Sequence, residues 1–264
     1  MTIKAIVTDM DGTFLKDDKT YNREYFLEIK AEMARQGMHF VVASGNQYWR
    51  LVDYFPDFGE QLFYIADNGA DIRHHGKQLA VQTIAPQFHQ PILRYLTQEL
   101  PEHHLVVSGG KGVYISENSP QAMAEHVAFF YRQIHQVDLT QPIRDDVFKF
   151  ALNFPASLLD QATHLLTQEF GQQLTVVTSG HEAVDIMSVH AGKEVGIQTL
   201  MQHFQLAPEE IAVFGDNRND LGMFQIAGQA YATANALQEV KEAATTVIGT
   251  NNEQAVLRTI ATFL

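Results

Sequence analysis

The sequence predicts an α/β protein built on a parallel sheet, with a separate α+β unit inserted into it. Three observations carry this. Short, mainly apolar runs at residues 3–7, 39–43 and 63–66 are each followed by a polar turn, and the first two then by residues of helical spacing, the rhythm of strand, crossover helix, parallel strand. Between about residues 83 and 187 the rhythm breaks into grouped short strands and three longer helical stretches. From residue 193 the alternation returns, so the middle reads as a unit of ordinary domain size placed inside the first. We assign residues 1–82 and 188–264 to the core and residues 83–187 to the insertion.

In order, the strand at residues 3–8 precedes a helix patterned on Tyr25, Ile29 and Met33 that stops near Gly37. The strand at 39–43 ends in Ser44, Gly45 and Asn46. Tyr48, Leu51, Val52 and Phe55 then mark a helix that Pro56 terminates. After the third strand, Asp67, Asn68 and Gly69 turn the chain toward a hairpin around His74 to Lys77. The insertion should hold helices over about 86–99, 119–133 and 155–170, with strands near 105–107, 113–115, 147–153, 174–178 and 183–187, its helices gathered on one side. Residues 193–204 read as a helix and 211–214 as a strand that runs into Gly215, Asp216, Asn217, Arg218, Asn219 and Asp220. The tail from residue 236 alternates helical and short apolar pieces.

Composition narrows the function classes. A hydrophobic content of 45% suits a protein with a full core. The net charge of −13 opposes nucleic acid and acidic membranes as partners. There is no cysteine, which excludes disulfides, thiolate metal sites and cysteine nucleophiles. No apolar run reaches the roughly 20 residues of a membrane span, and the opening residues do not read as a signal peptide, so the expected location is the cytoplasm. Oligomeric state is not legible.

The chemistry concentrates at strand ends. Asp9, Met10, Asp11, Gly12 and Thr13 follow the first apolar run, where an open α/β sheet binds its ligands. On extended chain the Asp9 and Asp11 side chains point the same way, and two such close carboxylates call for a hard cation such as Mg²⁺ or a shared proton. Such a string also serves as a plain capped turn. Ser44 reads equally as a helix N-cap, Asn219 and Asp220 as turn residues, and Lys193 as a surface lysine. Their combination and order are less ordinary than any one of them.

Asp-x-Asp-Gly-Thr, then Ser-Gly, then an isolated Lys193, then Gly-Asp-x-x-Asn-Asp resembles the four motifs of the haloacid dehalogenase superfamily. The phrases Val-Thr-Asp-Met-Asp-Gly-Thr-Phe-Leu and Val-Val-Ala-Ser-Gly-Asn-Gln-Tyr are similar to the sugar phosphatases of its Cof-like subgroup, whose larger cap the insertion resembles. The resemblance implies a Rossmann-like core, a C2-type cap, and hydrolysis of small phosphorylated metabolites. It implies Asp9 as nucleophile and Asp11 as general acid and base. Mg²⁺ would be held by the Asp9 and Asp216 carboxylates and the Asp11 carbonyl, with Asp220 and Asn219 in support. Ser44, Gly45, the Met10 N–H, Lys193 and Asn219 would hold the phosphate. Asn46 departs from the arginine common in the subgroup at that place, which weakens the expectation of a second phosphate on the substrate.

Two other readings stay open on the same residues: transfer of the phosphoryl group to a second alcohol, as in a phosphotransferase or mutase, and a phospholigand-binding regulator without turnover. Of the histidines, His74 with His75 and His103 with His104 read as turn residues rather than zinc ligands. His181, Glu182 and Asp185 flank the return toward Lys193 and are candidates for leaving-group contact.

Overall fold

A computed structural model describes residues 2–178 and 183–264. The chain builds two sheets. In the first, β1 (Ala5–Thr8), β2 (His39–Ala43), β3 (Phe63–Ala66), β4 (Asp71–His74) and β5 (Lys77–Val81) come from the N-terminal part. The second sheet contains β6 (His104–Gly109), β7 (Gly112–Ser116), β8 (Ile134–Val137), β9 (Val147–Asn153), β10 (Leu174–Thr178) and β11 (Ala183–Ser188). The chain then returns to the first sheet with β12 (Ile211–Gly215), β13 (Gln229–Ala232) and β14 (Thr246–Val247).

The first sheet has eight strands in the order β14-β13-β12-β1-β2-β3-β4-β5. Neighbours from β14 to β3 are parallel, whereas β3, β4 and β5 form an antiparallel edge. β1 and β12 lie near its centre, and every residue of both is buried, which is why their sequences are apolar but for Thr8. Alternate residues serve opposite faces. Ile6, Phe40 and Val42 pack with α1 (Arg23–Arg35) and α9 (Ala255–Ala261), while Val7, Val41 and Ala43 pack with α6 (Lys193–Phe204).

Asn22 caps α1 by accepting from the Tyr25 N–H. The short α2 (Tyr48–Tyr54) buries Tyr48 and Leu51. The remaining core helices are α7 (Leu221–Ile226) and α8 (Gln238–Ala243).

The second sheet runs β10-β11-β9-β6-β7-β8, antiparallel except for the β7–β8 pair. α3 (His89–Glu99) and α5 (Leu159–Phe170) cover one face with Ile92, Leu96, Ala162 and Leu166 against Val107, Phe150, Leu152 and Ile186. The expectation of helices on one side holds for these two. α4 (Gln121–Phe130) packs Val127 on the other face, against Val106, Val113, Ile115 and Ala151. β8 and β13 were not expected as strands. β8 is half-polar and half-exposed, and β13 is short and interrupted by Gln229 and Tyr231, so neither shows an apolar run. Among the described residues, no helix is long and apolar enough to cross a membrane.

Candidate active site

The carboxyl ends of β1, β2, β3 and β12 open on one side of the first sheet, as parallel strands must. Asp9 follows β1 and is tied to its neighbour by the Asp9 N–H donating to the Phe214 carbonyl at 2.9 Å. Gly12 then turns the chain with φ +78°, and a Cβ there would lie 2.5 Å from Asp216 Oδ2. Only glycine allows both this conformation and this approach. The turn is pinned from below. Asn235 Nδ2 donates to the Gly12 carbonyl at 2.7 Å, and Asn251 Nδ2 to the Leu15 carbonyl at 2.9 Å.

Lys193, the first residue of α6, lies at the centre. Its Nζ donates to Asp9 Oδ1 and to Asp220 Oδ1, each at 2.6 Å, and its side chain is fully buried. α6 can start this close to the site because Gly69, with φ +85°, passes Gly192 so tightly that a Cβ would lie 2.0 Å from the Gly192 carbonyl oxygen. Asp220 Oδ2 accepts the Asp216 and Asn217 N–H groups at 2.8 and 3.0 Å, which fixes the loop after β12. Thr13 Oγ1 donates to Asp216 Oδ1 at 2.7 Å.

Burial drives the electrostatics. Removal from water raises the Asp9 carboxyl well above its usual range, opposed by Lys193 and reinforced by Asp220 and Asp216. Asp216 is pushed up to about 6, first by burial and then by Asp220. Burial works against the Lys193 charge, but Asp220 and Asp9 outweigh it and move its pKa upward.

Among the described residues, the carboxylates of Asp9, Asp216 and Asp220 converge, with one oxygen of each within 4.8 Å of the others. The described hydrogen bonds occupy Asp9 Oδ1, Asp216 Oδ1 and both Asp220 oxygens. Asp9 Oδ2 and Asp216 Oδ2 are the oxygens left over, a hard all-oxygen donor set that fits Mg²⁺. Asp220 is already engaged and acts as the brace that orients Lys193 and the Asp216 loop.

The Asp11 side chain is half-exposed and turned toward other partners, Lys19 Nζ at 2.6 Å and Asn46 Nδ2 at 2.7 Å. Asn46, noted only for being uncharged, thus holds the second aspartate. Ser44 is buried; its carbonyl accepts the Asn68 N–H at 2.9 Å, and its Oγ accepts the Asn46 N–H at 3.1 Å. Asn219 Nδ2 donates to Asn68 Oδ1 at 3.0 Å. The Met10 N–H donates to no acceptor among the described residues. The four stretches picked out in the sequence therefore meet, Asp9, Lys193, Asp216 and Asp220 by direct contact and Ser44 and Asn219 through Asn68.

Sequence reasoning passed over Lys19 and Lys149, and gave no role in the site to Thr13, named only within its motif, or to Asn68. Asn68 was readable by the rule that exposed Asp9, since it follows the end of β3, but it was taken for a turn residue only. Lys149, in an apolar strand, is 3% exposed and donates to the Gly45 carbonyl at 2.7 Å. Asp185 is 1% exposed and accepts from Asn68 Nδ2 at 2.9 Å and Lys149 Nζ at 3.1 Å. His181 and Glu182 lie outside the described residues. His74 Nδ1 and His203 Nε2 are 3.1 Å apart, a contact from α6 to β4 remote in sequence from the aspartates.

This fold and this aspartate, lysine and aspartate arrangement define a phosphatase-type α/β hydrolase, and comparison with known proteins agrees. The chain matches the haloacid dehalogenase-like hydrolase family over residues 6–260, and it belongs to that family. It is 34% identical over 260 residues to a 5-amino-6-(5-phospho-D-ribitylamino)uracil phosphatase of Escherichia coli, covering 98% of this chain and 96% of that one. A phosphatase of the same description from Bacillus subtilis is 24% identical over 278 residues, covering 96% of each. A solved structure from Streptococcus mutans superposes with a TM-score of 0.92 at 28% identity over 99% of both chains. The protein is a phosphatase of this family.

Proposed function

We propose that the protein is a Mg²⁺-dependent phosphomonoester hydrolase that takes sugar or sugar-alcohol phosphates and works through an aspartyl phosphate on Asp9. The observation that carries this is the buried Lys193 ammonium held 2.6 Å from both Asp9 and Asp220. It favours the charged form of Asp9 against the effect of burial and holds that carboxylate at the mouth of the sheet. Asp9 Oδ2 and Asp216 Oδ2, with the Asp11 carbonyl, would hold the metal, which when bound neutralises phosphate charge.

Asp9 attacks phosphorus, and the bond from phosphorus to the leaving oxygen breaks as Asp11 gives that oxygen a proton. Water then gives its proton to Asp11 and attacks the acyl phosphate, releasing inorganic phosphate and restoring Asp9. The Asp11 carboxyl is half-exposed and contacted by Lys19 Nζ at 2.6 Å and Asn46 Nδ2 at 2.7 Å, contacts it would exchange for the leaving oxygen and then for water. The Ser44 hydroxyl, the Gly45 and Met10 N–H groups, Asn219 and Lys193 would surround the equatorial oxygens, where phosphoryl transfer needs fixed positive charge.

Residues 83–187 act as a cap that excludes bulk water and large substrates. The substrate class rests on the two ribitylamino-compound phosphatases among the relatives, whose named substrate carries its phosphate on a sugar-alcohol chain. The test is a screen of phosphorylated metabolites with Mg²⁺ present, reading liberated phosphate. Turnover should prefer sugar and polyol phosphates, stop with chelator and return with Mg²⁺. Asp9→Asn should abolish it, and normal turnover in that variant would overturn the assignment.

A further inference from the structure

The register of the second sheet sets two adjacent cross-strand rows on one face, each carrying one charged residue toward the active-site loops. Ser108 lies beside Lys149, and Lys149 beside Met187; Val106 lies beside Ala151, and Ala151 beside Asp185. Residues paired across strands share a face, so Lys149 and Asp185 project together from β9 and β11. A buried lysine is costly unless paired and hydrogen-bonded. Lys149 finds its partners across the gap between the sheets. Its Nζ donates to the Gly45 carbonyl at 2.7 Å and to Asp185 Oδ2 at 3.1 Å.

The Gly45 contact matters because of the peptide unit it belongs to. The Gly45 carbonyl and the Asn46 N–H are two ends of one rigid plane. The carbonyl end is held by Lys149 from the second sheet, and the N–H end donates to Ser44 Oγ at 3.1 Å. A hydroxyl oxygen that accepts from one side directs its own hydrogen elsewhere. Fixing the carbonyl therefore fixes the N–H, and with it the direction in which Ser44 can donate. A second path runs through Asp185 to Asn68 Nδ2 at 2.9 Å, and from Asn68 Oδ1 to Asn219 Nδ2 at 3.0 Å.

We infer that Lys149 is a positioning residue for phosphoryl transfer. It orients the Gly45–Asn46 peptide, and so the Ser44 hydroxyl, only while the second sheet is seated against the first. Cap closure and assembly of the phosphate-binding loop become one event, and a phosphoester bound under an open cap meets an incomplete site. The inference rests on the reading above that Ser44 and Gly45 hold phosphoryl oxygens.

The experiment uses the full-length protein with Mg²⁺ and p-nitrophenyl phosphate. Lys149→Met should lower kcat by about 100-fold, the scale expected from a small misplacement of reacting groups, with KM changed little. Orthovanadate, which takes the transition-state shape, should inhibit this variant correspondingly less well, while inhibition by inorganic phosphate holds. Lys149→Arg should restore part of kcat. If Lys149→Met does not fold by its thermal transition, the double variant Lys149→Met with Asp185→Asn removes both charges and still lacks the donor to Gly45.

A wild-type kcat in whichever variant folds overturns the inference, as does equal weakening of phosphate and vanadate; failure of both variants to fold assigns Lys149 to stability alone and overturns it too. Asp9→Asn and Ser44→Ala separate the two levels. If Asp9→Asn turns over normally, the hydrolase reading itself fails. If Asp9→Asn is dead and Ser44→Ala is slow while Lys149→Met is normal, only the positioning role falls.

Discussion

Replacing Asp67 by Asn tests the charge balance between the two sheets in a way that contact-counting would get backwards. Asp67 is 1% exposed, in a left-handed conformation with φ 47°, and neither carboxylate oxygen has a hydrogen-bond partner among the described residues. Its nearest cation is Lys149 Nζ at 3.9 Å, across the gap. Burial raises its pKa from 3.8 to about 6, with Lys149 pulling the other way. A rise of roughly two units corresponds to about 3 kcal/mol by which the folded protein disfavours the ionised form.

The folded state therefore binds more protons than the unfolded chain between about pH 4 and pH 6, so this residue's contribution falls as pH rises through that window and stays unfavourable above it. Asn has the same shape and no charge, and Lys149 keeps Asp185. Asp67→Asn should thus be more stable than wild type by up to about 3 kcal/mol near neutral pH, with the gain fading to about zero near pH 4. Urea unfolding of both proteins at about pH 4.5 and about pH 7.5 reads the difference, in which all groups common to both cancel. A stability difference independent of pH, or an Asn variant weaker at neutral pH, refutes the reasoning.

Two further outcomes are expected. Lys193→Met should cost about 3–5 kcal/mol of stability because it strands buried carboxylates, and it should also nearly abolish turnover; an unchanged melting temperature with normal kcat would contradict the central role of that ammonium. His74 is pushed down to about 4 by burial and by His75, His203 and His39. Its depressed pKa gives stability that is present above about pH 6.5 and lost as pH falls toward about 4. His74→Gln should flatten the fall in melting temperature over that range, and identical slopes would exclude the histidine contact as its source.

Most of the first sheet was legible because its central strands are buried on both faces, which forces the unbroken runs at Val7, Val41 and Val213. The site was legible for the related reason that a parallel sheet places all its strand ends on one side. Asp9, Ser44 and Asp216 needed only to be recognised as following such runs. Lys149 was hidden by the opposite effect, and Asp185 was legible only as a candidate for leaving-group contact, not as the partner of Lys149. Each is one charged residue in a short strand, and its meaning depends on a partner 36 residues away and on a second sheet pressed against it. Periodicity reports which face a residue occupies and not what lies opposite that face. β8 stayed invisible because its polar, exposed residues owe their strand conformation to pairing with β7.

The charge at the site also orders the binding events. Asp9, Asp216, Asp220 and Lys193 together carry −2 when all are ionised, in a chain whose overall charge is −13. A phosphate dianion entering that field meets net repulsion at close range, and burial amplifies it by lowering the local dielectric. Burial above all, with the neighbouring carboxylates adding to it against the pull of Lys193, raises the Asp9 carboxyl and pushes Asp216 up to about 6, so negative charge is already costly here. A dication would bring the centre to neutrality, and on the proposed metal dependence it is expected to precede the phosphate or arrive with it. Titration calorimetry should show inorganic phosphate binding with Mg²⁺ present and at least about tenfold more weakly without it, since about 1.4 kcal/mol of electrostatic difference suffices for that factor. Equal phosphate affinity in chelator and in Mg²⁺ would mean that Lys193 and the backbone donors alone overcome the three carboxylates, and the metal would then have no part in binding.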